Sequence, residues 1–243
     1  MKRIIDIILS FIGIIIFSPI LIVIISIILL TEKSSPFYIA NRVGKCGKLF
    51  KMIKLRSMFI DSDKVGIDST SENDSRITKV GHFIRRYKLD EITQLINVLI
   101  GNMSLVGPRP NVERETKLYT SEEKNLLSVK PGITDYASIV FSDEAKILRG
   151  KADPDIAYHQ LIRPGKSQLG LFYIYNNNLI IDIKLILITA ISLFSRKLAL
   201  KLVCKQLSEE KASYKLINLA SRKDQLNPMP PPGSNHIVTT REL

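Results

Sequence analysis

The sequence predicts an α+β protein, mostly helical, in which an N-terminal membrane helix precedes a cytosol-facing domain. That domain is expected to carry amphipathic interfacial helices and a short β-hairpin. Three observations predict this. Residues 4–30 are almost wholly apolar, with polar side chains only at Asp6, Ser10, Ser18 and Ser26. Residues 36–58 alternate apolar and polar about Gly44 and Gly47, the two-residue period of paired strands. Much of the remainder repeats apolar residues at the three- and four-residue spacing of helices. The chain divides accordingly into a membrane helix (1–32), a cytosol-facing domain (33–204) and a polar, disordered tail (205–243).

The apolar segment exceeds the roughly 20 residues that a spanning helix needs. No small-residue cleavage site follows it, so it reads as a retained anchor. Ser18-Pro19 lies near its centre. Proline removes a backbone donor and clashes one turn back, which breaks or kinks a helix. A neighbouring serine hydroxyl can satisfy the carbonyl so freed, which matters where water is absent. Lys2 and Arg3 precede the segment, and Lys33, Arg42, Lys45, Lys48, Lys51, Lys54 and Arg56 follow it. Cations stay on the cytoplasmic side. A re-entrant helix, turned back at Ser18-Pro19, satisfies both flanks; a straight span places Lys2 and Arg3 outside.

The chain of 243 residues has a net charge of +12. Such an excess calls for a polyanionic partner: nucleic acid, anionic headgroups or phosphorylated substrates. The absence of Trp and an aromatic content of 7% argue against base-stacking surfaces. Cys46 and Cys204 are too few for a disulfide framework, which fits a reducing compartment. His82, His159 and His236 are scattered. A metal here would be a hard ion on carboxylate and phosphate oxygens.

Downstream, residues 61–75 are loop-like, and a helix begins near Arg76. A charged surface helix is expected at 113–127. Val129-Lys130-Pro131-Gly132 forms a turn from which Lys130 could face the site. Leu169 to Tyr175 reads as a strand or a helix start, and Leu179 to Phe194 as an interfacial or packing helix. The proline-rich stretch from Pro228 reads as disordered.

The chemistry concentrates in Lys88-Leu-Asp90-Glu91-Ile-Thr-Gln-Leu-Ile-Asn-Val-Leu99. Leu89, Ile92, Leu95, Ile96 and Leu99 repeat at helical spacing, so Asp90 and Glu91 fall in a first helical turn, which suits ionised acids. That preference alone explains an Asp-Glu pair. Consecutive helical residues point about 100° apart, so the two acids flank a ligand instead of sharing a face. Arg85, Arg86 and Lys88 crowd cations beside them, which lowers carboxylate pKa values. That favours a nucleophile or metal ligand over a general acid. Gly101 ends the helix, and Pro108-Arg109-Pro110 makes a stiff basic loop.

Taken in order, several motifs resemble those of the bacterial sugar transferase family, the monotopic polyprenyl-phosphate phosphoglycosyl transferases. They are Lys2-Arg-Ile-Ile-Asp6 with Ser18-Pro19, Asn41-Arg-Val-Gly44, Phe50-Lys-Met-Ile-Lys54-Leu-Arg56-Ser-Met58, Leu89-Asp90-Glu91 with Gln94-Leu-Ile-Asn-Val98, Gly101-Asn-Met-Ser-Leu-Val-Gly-Pro-Arg-Pro110, Lys130-Pro-Gly-Ile-Thr134 and Asp182-Ile-Lys184. The resemblance covers residues 2–197. It implies transfer of a sugar-1-phosphate from a UDP-sugar to polyprenyl phosphate, usually undecaprenyl phosphate, with release of UMP. It implies a covalent phospho-sugar on Asp90, and Mg²⁺ with Glu91 as its protein ligand. Arg109, Arg85, Lys54 and Lys130 would line a phosphate site, Pro108 and Pro110 would stiffen its loop, and Ser18-Pro19 would mark the family's re-entrant break. The implied setting is the cytoplasmic face of a bacterial inner membrane, at the first membrane step of surface-glycan synthesis. Downstream glycosyltransferases or a second copy are candidate partners, and nucleic acid is not.

One stretch departs from the family. Its commoner pattern after the Lys-Pro-Gly-Ile-Thr motif is Gly-Trp-Ala-Gln-Val-Asn-Gly-Arg, where this chain has Asp135-Tyr-Ala-Ser138-Ile-Val-Phe-Ser142. No residue role carries over from there, and the sugar stays open. The competing reading is an inactive membrane-anchored scaffold that binds anionic lipid within a glycan-assembly complex.

Overall fold

The structure, a computed structural model, describes residues 1–60 and 74–240. Most of the loop expected at 61–75 lies outside the described residues. Helix α1 (Lys2–Glu32) is long and apolar enough to cross a membrane. It runs on through Pro19, so the break expected at Ser18-Pro19 is a missing rung and not an end of the helix. Ser18 Oγ donates to Ile15 O at 2.8 Å. That carbonyl is the one that the absent Pro19 N–H would have served.

Both ends of α1 are tied to the same domain. Lys2 Nζ donates to Asp182 Oδ2 at 2.6 Å and to Val106 O and Tyr173 Oη, each at 3.0 Å. Arg3 donates to Leu99 O at 2.8 Å. Asp6, buried in spite of its place in the apolar run, accepts from Ser104 Oγ at 2.8 Å and Leu105 N at 3.1 Å. At the other end Ile24 and Ile28 pack with Leu55, Ile84 and Leu89.

Strands β1 (Phe37–Val43) and β2 (Leu49–Leu55) form the expected hairpin, antiparallel, with Phe37 opposite Leu55 and Val43 opposite Leu49. Helix α2 (Lys79–Arg86) is capped by Thr78, whose side chain accepts from Gly81 N. The segment expected to be one helix from Leu89 divides in two: a 3₁₀ turn over Leu89–Glu91, then α3 (Gln94–Ile100). The reason is local. Lys88 takes a left-handed conformation (φ 53°) just before the turn, so the carboxylates sit on a tight corner instead of a regular first turn.

Strand β3 (Ser104–Val106) pairs in parallel with β4 (Gly132–Thr134). Between them lies α4 (Glu113–Lys117) and a 3₁₀ segment at Glu123–Ser128, where one long surface helix was expected. Glu123 explains the change. It is fully buried, bonded to Arg163 Nη2 at 2.6 Å and Ser167 Oγ at 2.7 Å, so this stretch is bound inward.

Helices α5 (Tyr136–Val140), α6 (Glu144–Leu148), α7 (Pro154–Leu161), α8 (Arg163–Asn176) and α9 (Leu179–Phe194) follow. Pro154 and Pro164 stand in the first turns of α7 and α8, where the missing N–H costs nothing. Residues 169–175 are helical, within α8. Helix α9 exposes Ile180, Leu187, Leu193 and Phe194, the apolar face expected of an interfacial helix.

Helices α10 (Arg196–Glu209) and α11 (Tyr214–Ser221) correct the expected disordered tail. Val203, Leu207, Leu216 and Ala220 enter the main core beside Tyr136, Leu169 and Leu185. Their polar neighbours cover the outer faces, so average polarity concealed two amphipathic helices. The proline-rich stretch lies along the domain. Met229 N donates to Gln160 O at 3.0 Å, and Gln160 Nε2 to Val238 O at 2.6 Å. Extended proline-rich backbone makes no internal hydrogen bonds, which leaves it free to bond its neighbours.

Candidate active site

Three elements converge on the acidic corner. Strand β2 contributes Lys54, the 3₁₀ turn contributes Asp90 and Glu91, and the loop after β3 contributes Arg109. Asn97 of α3 holds the first two together: its Nδ2 donates to Lys51 O at 2.7 Å, and its Oδ1 accepts from Ile53 N at 2.9 Å. Thr93 Oγ1 lies 3.0 Å from Ile53 O and 3.1 Å from Asp90 O. The backbone of the loop is tied to β4. Gly107 N donates to Thr134 O at 2.9 Å, and Gly132 N to Pro108 O at 3.0 Å. A Cβ on Gly132 would lie 2.1 Å from Gly107 N, so only glycine permits this approach.

The two carboxylates are engaged differently. Glu91 takes a two-pronged grip from Arg109, Oε1 to Nη2 at 2.8 Å and Oε2 to Nη1 at 2.9 Å, while Arg109 Nη1 also donates to Ile133 O. Burial by itself raises the Glu91 carboxyl. The charges of Arg109, Lys54 and Lys88, with the Arg109 hydrogen bonds, outweigh burial and hold it at about 2, below its ordinary 4.5. Asp90 has only Lys54 as a side-chain partner among the described residues, at 3.5 Å.

Other expected site residues are placed variously. Arg85 donates to Ser57 Oγ at 3.0 Å and acts on Asp90 through its charge. Lys130 does not face the acids: its Nζ lies with Arg3 beside Gly101, at the opposite end of α3. The Pro131 carbonyl, bonded to Ser104 N, sets that course for the chain.

Lys54 and Arg109 also line a cleft of about 200 Å³ with Arg42, Tyr158, His159 and Lys166. Glu115, Glu144 and Asp155 complete it. Lys166 pairs with Glu144, and Lys88 faces the carboxylates electrostatically, its own pKa lowered chiefly by burial. Helix α7 and Lys166 carry no motif, and their spacing is that of ordinary helices, so only the fold brings them here. Lys88 was visible as one of a cation run.

No group of three or more His, Cys, Asp or Glu side chains converges among the described residues. Mg²⁺ does not require one, because it is commonly bound by one or two carboxylates plus substrate phosphates. Asp90 and Glu91 fit that role beside a diphosphate. Glu91 would share its oxygens with Arg109, and each carboxylate oxygen has a second lone pair.

A long apolar helix leads into a domain in which an arginine-locked acid and a lysine-paired acid stand beside a cleft rich in cations, the arrangement of a membrane-associated protein with an anion-binding site. The sequence profile of the bacterial sugar transferase family matches residues 1–196, and the chain belongs to that family. A Bacillus subtilis (strain 168) protein is 44% identical over 134 residues, 55% of this chain and 70% of the relative; it is provisionally named an undecaprenyl-phosphate N-acetylgalactosaminyl 1-phosphate transferase. The Klebsiella pneumoniae UDP-glucose:undecaprenyl-phosphate glucose-1-phosphate transferase is 36% identical over 201 residues, 82% of this chain and 41% of the relative. An Aeromonas hydrophila UDP-N-acetylgalactosamine-undecaprenyl-phosphate N-acetylgalactosaminephosphotransferase is 35% identical over 166 residues, 65% of this chain and 38% of the relative. The chain thus spans less than half of the latter two, and the relatives differ in sugar.

Proposed function

We propose that this protein transfers a sugar-1-phosphate from a UDP-sugar to polyprenyl phosphate, releasing UMP, on the cytoplasmic face of a bacterial inner membrane. The observation that carries this reading is the inequality of the two acids. Arg109 holds both oxygens of Glu91, whereas Asp90 keeps an oxygen with no side-chain partner among the described residues. Asp90 is therefore the nucleophile and Glu91 the positioning acid.

In the first step an Asp90 oxygen attacks the sugar-bearing phosphorus. The bond from that phosphorus to the bridging oxygen breaks, and UMP leaves. In the second step a phosphate oxygen of the polyprenyl carrier attacks the same phosphorus. The bond to Asp90 breaks, the carboxylate is regenerated, and a lipid diphosphate sugar departs. Splitting the exchange lets one site serve a soluble donor and a lipid acceptor in turn. Lys54 and Arg109 bind the phosphate oxygens, and guanidinium offers a two-pronged fit. Glu91 and Asp90 would hold Mg²⁺, which would supply charge neutralisation on the diphosphate. The tying of both ends of α1 to one domain supports the re-entrant arrangement, which brings the lipid phosphate to this level.

The test is UMP release by purified protein with Mg²⁺, undecaprenyl phosphate and a panel of UDP-sugars, beside Asp90→Asn. Release by wild type alone supports the transferase. Folded protein that releases no UMP from any donor overturns it in favour of the scaffold.

A further inference from the structure

The cleft has a side lobe. A second cavity of about 50 Å³ shares Arg109, Asn111, Tyr158 and Lys166 with it and continues inward between Pro108, Leu126 and Ala137. One water needs only ~10–15 Å³, so the lobe takes a group of several heavy atoms. Each of its charged side chains already has at least one partner. Arg163 and Ser167 bond Glu123, Lys166 pairs with Glu144, and Asp135 accepts from Ser138 at 2.6 Å.

Four polar atoms in it keep an unused hydrogen-bonding position among the described residues, and one is Asp135 Oδ2, since both bonds from Ser138 end on Oδ1. Tyr119 Oη accepts from Asn111 Nδ2 at 2.8 Å, which leaves its own O–H without an acceptor among the described residues. Tyr158 Oη has no hydrogen bond there, and Asn111 Oδ1 has no donor. Burial holds both phenols protonated well above neutral pH. The lobe thus offers two O–H donors, a carbonyl acceptor, a carboxylate oxygen and an apolar wall. A secondary amide with a methyl group presents the complement: a carbonyl oxygen, an N–H and an apolar end.

We infer that this lobe reads an N-acyl substituent on the donor sugar, so that N-acetylated amino sugars are the substrate class. The inference rests on the transferase reading above. A hexose hydroxyl at the same carbon presents neither the carbonyl oxygen nor the apolar end, and leaves the lobe's donors without that partner. Sites built to hydrogen-bond a substrate group discriminate most strongly against the analogue that lacks it.

The test measures kcat/KM for UMP release by the full-length protein with UDP-N-acetylglucosamine, UDP-N-acetylgalactosamine, UDP-glucose and UDP-galactose. Wild type, Tyr119→Phe and Tyr158→Phe are compared, with thermal unfolding as the check on folding. An N-acetylated donor is expected to lead the plain hexoses by about 100-fold or more. Each phenylalanine variant is expected to lose about tenfold on that donor and markedly less on plain hexoses. If either variant unfolds, Ser138→Gln, which fills the lobe from α5, carries the same expectation. Equal use of a plain hexose overturns the inference and leaves the transferase standing. Equal loss on all donors, with UMP inhibition weakened in step, also overturns it, because the lobe then reads the nucleotide. No UMP from any donor overturns the transferase reading, and this inference with it.

Discussion

Asp90 and Glu91 are chain neighbours with unequal duties, and substitution separates them. Under the proposed mechanism Asp90→Asn removes the nucleophile and keeps the side-chain shape. It is expected to reduce turnover by about 10⁴-fold or more with unchanged unfolding temperature, measured by UMP release and a thermal melt. Arg109→Lys keeps the charge and loses the two-pronged grip, so the KM for the UDP-sugar should rise and stability above about pH 4.5 should fall. The sign follows from Glu91, whose carboxyl falls to about 2 from 4.5 on folding. A depressed carboxyl stabilises the fold above the ordinary value, and that contribution disappears as pH falls from about 4.5 towards 2. A pH series of melts should show wild type losing stability across that window. Arg109→Lys should lose less there, having less to lose.

At the scale of elements, α1 and the C-terminal stretch make distinct predictions. Ser18 Oγ satisfies Ile15 O in the place of the Pro19 N–H, so Ser18→Ala leaves a carbonyl unmatched inside an apolar segment. The expected loss is about 1 kcal/mol, read as a lower unfolding temperature in detergent, and Ser18→Ala with Pro19→Ala should restore it. Ending the chain after Arg222 removes the hydrogen bonds to Thr120 and Gln160. Those residues flank the wall of the cleft that carries Tyr158 and His159. The truncated protein should melt lower and bind the UDP-sugar more weakly, with kcat the less affected. Unchanged melting would show that the stretch contributes nothing to the fold.

At the scale of the molecule, both ends of α1 meet one domain. Lys2 reaches Asp182, and Ile28 reaches Ile84. A straight span would separate these ends by a bilayer. Single cysteines, one added before Met1 and one at Ser35→Cys, in a chain freed of Cys46 and Cys204, test this in sealed inverted vesicles. Labelling of both by an impermeant reagent supports the re-entrant arrangement; labelling of opposite faces excludes it.

The membrane helix, the hairpin, the acidic corner and the stiff arginine loop were legible in the sequence because each rests on local physics: a long apolar run, a two-residue period, charge crowding and paired prolines. Adjacency of motifs, however, says nothing about direction. Lys130 shares a motif with the site yet lies at the far end of α3, since β4 pairing sets its course. Glu123 looked like one more surface acid until Arg163, 40 residues later, was brought to it. The amphipathic helices after residue 196 were hidden by average polarity, because burial depends on which face meets the core. The sequence alone determined the family, the long apolar helix and the placing of two acids beside a run of cations. The tertiary structure decided which acid is locked and which is free, and it built the cleft and its side lobe, because hydrogen bonds between distant segments have no signature in spacing along the chain.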